Sequence, residues 1–168
     1  MSADLQGPGS ADAVRAANAE LDSRLRALAA AIPAERLDSD SGDGQWTLAE
    51  NLVHIAEFCR YFAVDLTAQL EHEGATVGRT HEHPGRLAAI ALAKGRQLEE
   101  LRTALDTALD TLAASLDGVR TADLDRIGSN RKYGPEPLRR FLDRYVLEHK
   151  AAHVQQLEAT INAVQPAH

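Results

Sequence analysis

The chain has 168 residues and a formal net charge of −7, with 25 acidic and 18 basic side chains. This length fits a single domain. The acidic balance argues against a nucleic-acid partner, because such proteins present clustered Lys and Arg side chains to phosphates. Aromatic residues make up only 4% of the chain while Ala and Leu are abundant, which favours helices over sheets.

The next features of the sequence concern the cellular location of the protein. No apolar run approaches the roughly 20 residues that a membrane-spanning helix needs. Residues 1–9 are polar and lack the apolar centre of a signal peptide, so we expect a disordered leader there and one domain over residues 10–168. Cys59 is the single cysteine and has no internal disulfide partner. Together these features predict a cytoplasmic protein without a membrane partner.

Two helices are predicted in the first half of the chain. Apolar residues spaced by three or four predict the first helix from about Ser10 to Ala31, and Pro33 ends it. The second is predicted from Thr47 to about Glu73, because Thr47 and Glu50 have the spacing of a capping box. Gly74 is suited to the left-handed conformation that commonly follows a helix.

Two further helices are predicted in the second half. The third begins at Pro84, a residue suited to the first helical position, and continues to Gly118. The fourth follows Gly134-Pro135. No strand pattern is evident, so the sequence predicts an all-α fold, a four-helix bundle with long crossover linkers.

The fourth helix carries a pair of histidines on its apolar stripe. His149 and His153 are four residues apart, so their imidazoles project from one face about one turn apart. That spacing suits two ligands of one metal ion, because imidazole is a common nitrogen ligand. Two histidines that form hydrogen bonds within the bundle explain the same pattern equally well.

His54 is a candidate third ligand on the second helix. The aliphatic stripe of that helix runs through Leu48, Leu52, Ile55 and Cys59, and His54 lies off it. Periodicity alone therefore predicts that His54 faces solvent. The same stripe predicts that Cys59 is a small buried hydrophobe.

Three segments of the chain resemble the DinB-like superfamily. The segment Gln45 to Glu57, which contains Trp46 and His54, resembles that family's tryptophan-to-histidine segment. The segment Arg79 to Arg86 resembles the stretch that precedes the third helix. The segment Tyr133 to Leu157 resembles the last helix, with its H-x-x-x-H-x-x-Q signature from His149.

The resemblance implies a DinB-like four-helix bundle, often a homodimer, with one metal-binding site. The ligands carried over from the family are His54, His149 and His153. Relatives include metal-dependent transferases that use low-molecular-weight thiols such as mycothiol and bacillithiol, and a mycothiol-dependent maleylpyruvate isomerase. The resemblance thus implies a divalent metal cofactor, with zinc preferred over nickel or iron, and a thiol such as mycothiol.

Three imidazoles leave a divalent ion with at least one open position, as in catalytic rather than structural sites. We expect Glu57 to orient a ligand imidazole or to act as a base, and Tyr145 to orient a substrate. A solvated charge and an ordinary bundle tyrosine are the alternatives for these two residues. The main hypothesis is a thiol S-transferase for a small molecule. The alternatives are a metal-dependent hydrolase and a non-catalytic metal-binding or ligand-binding bundle.

Two other polar segments have competing explanations. His81 and His83 lie on one side of an extended segment, an arrangement that also suits a metal. Because this segment lacks a rigid frame, we predict that the pair does not bind the metal. The segment Asn130 to Tyr133 is a small basic cluster, for which a solvated loop is the preferred interpretation over an anion-binding role.

Overall fold

The structure, a computed structural model, describes residues 9–42 and 44–164. The predicted leader therefore lies almost entirely outside the described residues. The helices form a bundle with a small sheet at one side, and no helix in the described ranges is long and apolar enough to cross a membrane. The helices are α1 (Ala11–Ala30), α2 (Leu48–Glu71), α3 (Pro84–Ala91), α4 (Leu98–Asp117), α5 (Leu138–Phe141) and α6 (His149–Val164).

The first two helices begin and end close to the predicted residues. The Ser10 hydroxyl caps α1 by accepting a hydrogen bond from the Ala13 amide. The Thr47 side chain accepts from the Glu50 amide while the Glu50 carboxylate accepts from the Thr47 amide, so the predicted capping box is present. Gly74 has a φ of 73°, the left-handed conformation expected just beyond this helix.

The prediction of one continuous third helix is wrong. The chain forms the short helix α3, then a turn, then α4. Gly95 in this turn has a φ of 78°, which is incompatible with a continuing right-handed helix. None of the residues of α3 is buried, whereas α4 buries a stripe of leucines from Leu98 to Leu116.

The expectation of no strands is also wrong, since the two long linkers pair with each other. The strands are β1 (Thr76–Val77), β2 (Ile127–Asn130) and β3 (Gly134–Pro137). β1 pairs in parallel with β2, and β2 pairs in antiparallel with β3. The sheet thereby holds the chain that leads from β1 to α3 against the end of the bundle that carries α5.

The last helix changes its geometry before the histidine pair. α5 continues into a π-helical segment, Leu142–Glu148, and then into α6. A π-helical segment has more residues per turn than an α-helix, and such segments are frequent at functional sites. Here the segment places the Tyr145 ring on the same cavity as His149 and His153.

A buried polar cluster joins α6 to α1 inside the bundle. The Lys150 side chain is completely buried, and its ammonium group donates hydrogen bonds to Asn18 Oδ1 and Asp22 Oδ1. Asn18 in turn donates to Asp22. Because an uncompensated buried charge is strongly destabilising, the three side chains hold these two helices together.

Candidate metal centre

His54 lies inside the bundle, so the prediction from periodicity that it faces solvent is wrong. Only 2% of its surface is exposed. α2 is covered on two sides, because α4 packs on its aliphatic stripe and the last helix packs on the side that carries His54. Phe58, one turn further along α2, is also fully buried, and its ring centroid lies 5.4 Å from that of His54.

His149 and His153 face His54 from the first turns of α6. The ring centroids of His149 and His153 are 4.6 Å apart, and that of His54 lies 4.6 Å from His153 and 5.8 Å from His149. Trp46, which precedes α2, stacks parallel to His153 at 6.1 Å. Aromatic rings therefore surround the three imidazoles on the inner side.

The ring nitrogens of the three histidines lie close together around one point. Each histidine offers one ring nitrogen, and these nitrogens all lie within 4.8 Å of one another. Three atoms at such separations have a common point that lies within about 3 Å of each of them. This distance is slightly longer than a zinc–nitrogen bond of about 2.0–2.1 Å. The two helices thus bring together the three residues that the sequence proposed as ligands; that they bind a metal stays a prediction.

Burial keeps all three imidazoles neutral. Loss of hydration is the main cause that lowers the pKa of His54 from 6.5 to about 2, helped by the neighbouring imidazoles and by Arg86 and Arg79. The same cause lowers the pKa of His149 to about 3 and that of His153 to about 4. A neutral imidazole has a free nitrogen lone pair, which is the form that binds a metal.

Two of these imidazoles also have a nitrogen without a hydrogen-bond partner. His54 Nδ1 and His153 Nδ1 are buried, and neither forms a hydrogen bond with any described residue. The nearest carboxylate oxygen to His54 Nδ1 is Glu57 Oε2 at 3.9 Å, which is too long for a hydrogen bond. Buried polar atoms normally have partners, so unpaired nitrogens in a histidine cluster fit a metal-binding role.

A cavity of about 140 Å³ opens beside the three histidines. The helices contribute Phe62 and Tyr145 to its wall, and the chain from β1 to α3 contributes the opposite side. That opposite side consists of Arg79, Thr80, His81 and Arg86. The cavity therefore has room for a small molecule next to the candidate ligands.

Glu57 is engaged by an arginine. Both of its carboxylate oxygens accept hydrogen bonds from the Arg79 guanidinium, and the Arg79 side chain is only 5% exposed. Arg79 also lies over the Tyr61 ring, at 4.2 Å from its centroid. The structure therefore places Glu57 beside His54 in a partly buried ion pair, and its predicted catalytic role stays a prediction.

Tyr145 lies at the cavity wall, with its hydroxyl held by the sheet. Asn130 Nδ2 donates to Tyr145 Oη at 3.1 Å and to Glu136 Oε1 at 2.9 Å. Asn130 is buried, so it is not part of a solvated loop, whereas Arg131, Lys132 and Tyr133 are exposed as expected. The role of Tyr145 toward a substrate stays a prediction.

The other predicted residues lie as follows. His83 accepts a hydrogen bond from the Gly85 amide at the start of α3, and it stays apart from the three-histidine cluster. His81 is exposed but lines the cavity. Cys59 is completely buried, as predicted, and burial raises the pKa of its thiol to about 12.

Reasoning from the sequence did not identify Arg79 and Arg86 as site residues. Both lie at the ends of the segment that resembles the family's stretch before the third helix, but only its two histidines were predicted as candidate site residues. Their positions next to His54 depend on β1, which the sequence did not predict, and on the start of α3, which it predicted at Pro84. The feature of the sequence that could have identified them is their positive charge, because they are the arginines nearest to His81 and His83.

The fold and this site define a class: a helical bundle with three histidines from two helices next to a small cavity. The family comparison agrees with this description, since residues 4–157 match the DinB superfamily. The chain belongs to the DinB superfamily. No curated protein matches the sequence closely enough to be counted as a relative.

Two solved structures have the same fold. YfiT from Bacillus subtilis, described as a probable metal-dependent hydrolase with an unusual four-helix bundle topology, is 17% identical, with a TM-score of 0.73 over 94% of this chain and 89% of that one. A mycothiol-dependent maleylpyruvate isomerase is 13% identical, with a TM-score of 0.67 over 92% of this chain. This chain spans only 61% of the isomerase's length. The all-α prediction of a DinB-like four-helix bundle is confirmed, apart from the small sheet.

Proposed function

We propose that this protein is a metal-dependent enzyme that transfers a low-molecular-weight thiol, such as mycothiol, to an electrophilic small molecule. His54, His149 and His153 are the proposed ligands of one divalent ion, with zinc the first candidate. The observation that carries the proposal is the set of three neutral imidazoles, two buried and that of His149 half-buried, with nitrogens within 4.8 Å of one another. The cavity beside them supplies space for a substrate.

A divalent ion in such a site lowers the pKa of a thiol or a water molecule that coordinates it, so that a nucleophile exists near neutral pH. The chain's own residues prepare the surroundings. The rings of Phe58, Phe62 and Trp46 exclude water from the inner side of the imidazoles. Because no other His, Cys, Asp or Glu among the described residues joins the cluster, a ligand position remains for a thiol.

In this proposal Glu57 is a positioning residue for His54. Its carboxylate lies 3.9 Å from His54 Nδ1. Ligand imidazoles are commonly oriented by a carboxylate that accepts their second N–H. Since Arg79 already donates to both oxygens of Glu57, the carboxylate is held in a fixed position. Tyr145 is proposed to orient the substrate through its hydroxyl.

A metal-dependent hydrolase is the second candidate function. It uses the same three ligands, and water takes the place of the thiol. The observation in its favour is the fold that this chain shares with YfiT, which carries that description. The homodimer and the cytoplasmic location stay predictions, since contacts within one chain test neither.

One experiment with a matched control tests the proposal. The zinc-loaded protein is assayed with mycothiol and an aryl chloride, and without thiol on an aryl ester. We expect thiol-dependent conjugation, about one zinc per chain, and loss of both in the double variant His149→Ala/His153→Ala. The control is His72→Ala, because His72 is exposed at the far end of α2.

The outcomes separate the candidates. Ester hydrolysis without any thiol-dependent reaction favours the hydrolase. Bound zinc with neither reaction favours the non-catalytic bundle. Full zinc content in the double variant contradicts the assignment of the site itself.

A further inference from the structure

Arg86 is a cation at the wall of the cavity, in the first turns of α3. Its guanidinium lies over the Trp46 ring, with Cζ 5.1 Å from the ring centroid. One N–H donates to the His81 carbonyl oxygen at 2.7 Å. Among the described residues Arg86 forms no ion pair, and a guanidinium has further N–H donors to offer.

Among the described charged groups around the cavity, Arg86 is the one without a direct ion-pair partner. The charge of Arg79 is balanced by the Glu57 carboxylate, which binds it through both oxygens. The lining residues Thr80 and Phe62 carry no charge. Apart from the histidines, Arg86 is therefore the cation of the described lining that has no ion-pair partner.

We propose that Arg86 binds a carboxylate of the molecule that enters the cavity and so selects small carboxylic acids as reactants. This inference rests on the proposed function and specifies its substrate class. The contact with Trp46 occupies the face of the guanidinium, whereas a carboxylate binds at its edge through two parallel hydrogen bonds. The cavity volume of about 140 Å³ limits the ligand to a small molecule.

The carboxylate has two possible sources, the electrophile and the thiol. Succinate and its neutral counterpart succinamide represent the first source. N-acetylcysteine and N-acetylcysteamine represent the second, since both carry a thiol and only the former carries a carboxylate. In each pair the ratio of the two affinities isolates the contribution of the carboxylate.

The experiment is calorimetric binding of the four probes to the zinc-loaded and the metal-free protein. We expect the wild type to prefer at least one acid over its neutral counterpart by roughly 10- to 100-fold, the range for hydrogen bonds to charged groups. Arg86→Gln is expected to lose this preference, and Arg86→Lys to keep only part of it because Lys lacks the planar fork. The control is Arg24→Gln, a surface change on α1.

Each result decides one question. A preference for succinate assigns the carboxylate to the electrophile, and a preference for N-acetylcysteine assigns it to the thiol. An unchanged preference in Arg86→Gln overturns the proposal, as does the absence of any preference in the wild type. Zinc content and thermal unfolding of each variant show whether the fold is intact. A protein that binds no zinc yet prefers acids through Arg86 refutes the proposed enzyme and leaves the carboxylate site standing.

Discussion

The cavity has two walls that are built differently. The helical wall consists of His54 and Phe62 on α2, Tyr145 on the π-helical segment, and His149 and His153 on α6. The loop wall consists of Arg79, Thr80, His81 and Arg86, on the chain from β1 into α3. The helical wall is buried or half-buried in the bundle core, whereas α3 has no buried residue.

This difference separates two tasks. Candidate metal ligands need positions held within a fraction of an ångström, and packed helices provide them. Residues that select a substrate are commonly on loops supported by a rigid scaffold. We therefore expect the helical wall to determine whether a metal binds, and the loop wall to determine which molecule reaches it.

The largest effect on stability is expected at Lys150, which anchors the helical wall to α1. Lys150 lies between the two histidines of α6 and is bound by Asn18 and Asp22 of α1. Lys150→Met leaves Asp22 buried without its cation, so we expect a loss of about 3–5 kcal/mol in the free energy of unfolding. Chemical denaturation followed by circular dichroism measures it.

A surface pair provides the matched control for this prediction. Arg24 and Glu158 join the same two helices, but their side chains are 55% and 40% exposed. Arg24→Ala is expected to cost less than about 1 kcal/mol. The double variant Lys150→Met/Asp22→Leu is expected to recover much of the loss. An equal cost for Lys150→Met and Arg24→Ala contradicts the anchoring role.

A smaller effect on stability per residue is expected when the pH is lowered, and it again concerns residues of the helical wall. In the metal-free protein the folded imidazoles of His54, His149 and His153 stay neutral down to pKa values of about 2, 3 and 4, whereas unfolded histidines bind protons near 6.5. The unfolded state thus holds more protons below pH 6.5, and stability falls as the pH falls. We expect roughly 1 kcal/mol per imidazole between pH 6.5 and 5.5.

Unfolding of the metal-free protein at a series of pH values tests this. The exposed His72 offers a control, since His72→Asn is expected to leave the slope unchanged, whereas His54→Leu reduces it. A stability that is flat from pH 6.5 to 5.5 shows that the three imidazoles are not buried as neutral groups.

The two walls also differ in how far they were predictable from the sequence. α1 and α2 follow from local signals, such as the Ser10 cap and the Thr47–Glu50 box. The strands were missed because they are two to four residues long and β3 contains Pro135 and Pro137, which are poor strand formers. Without β1, nothing in the sequence placed Arg79 next to Glu57.

The burial of His54 shows what the spacing of apolar residues along one helix cannot predict. A single apolar stripe predicts one buried face, yet α2 is covered by α4 on one side and by the last helix on the other. Which helices pack on a face is a property of the whole chain, so the stripe of one helix does not reveal it. The family resemblance, which rests on the order of motifs along the chain, brought His54 together with His149 and His153.

The smallest effect is expected on the loop wall. His81 lines the cavity and His83 caps α3, so both lie near the candidate centre. Neither belongs to the set of three clustered nitrogens, and both are on a segment without buried helical support. We therefore expect His81→Ala/His83→Ala to keep the full metal content, as measured by elemental analysis.

Loss of the His83 cap is expected to cost about 0.5–1 kcal/mol of helix stability, which faster amide exchange confined to α3 would reveal. His54→Ala serves as the reference for a removed ligand: a comparable metal loss in the double variant would place the metal on the loop wall and reverse the division of tasks between the two walls.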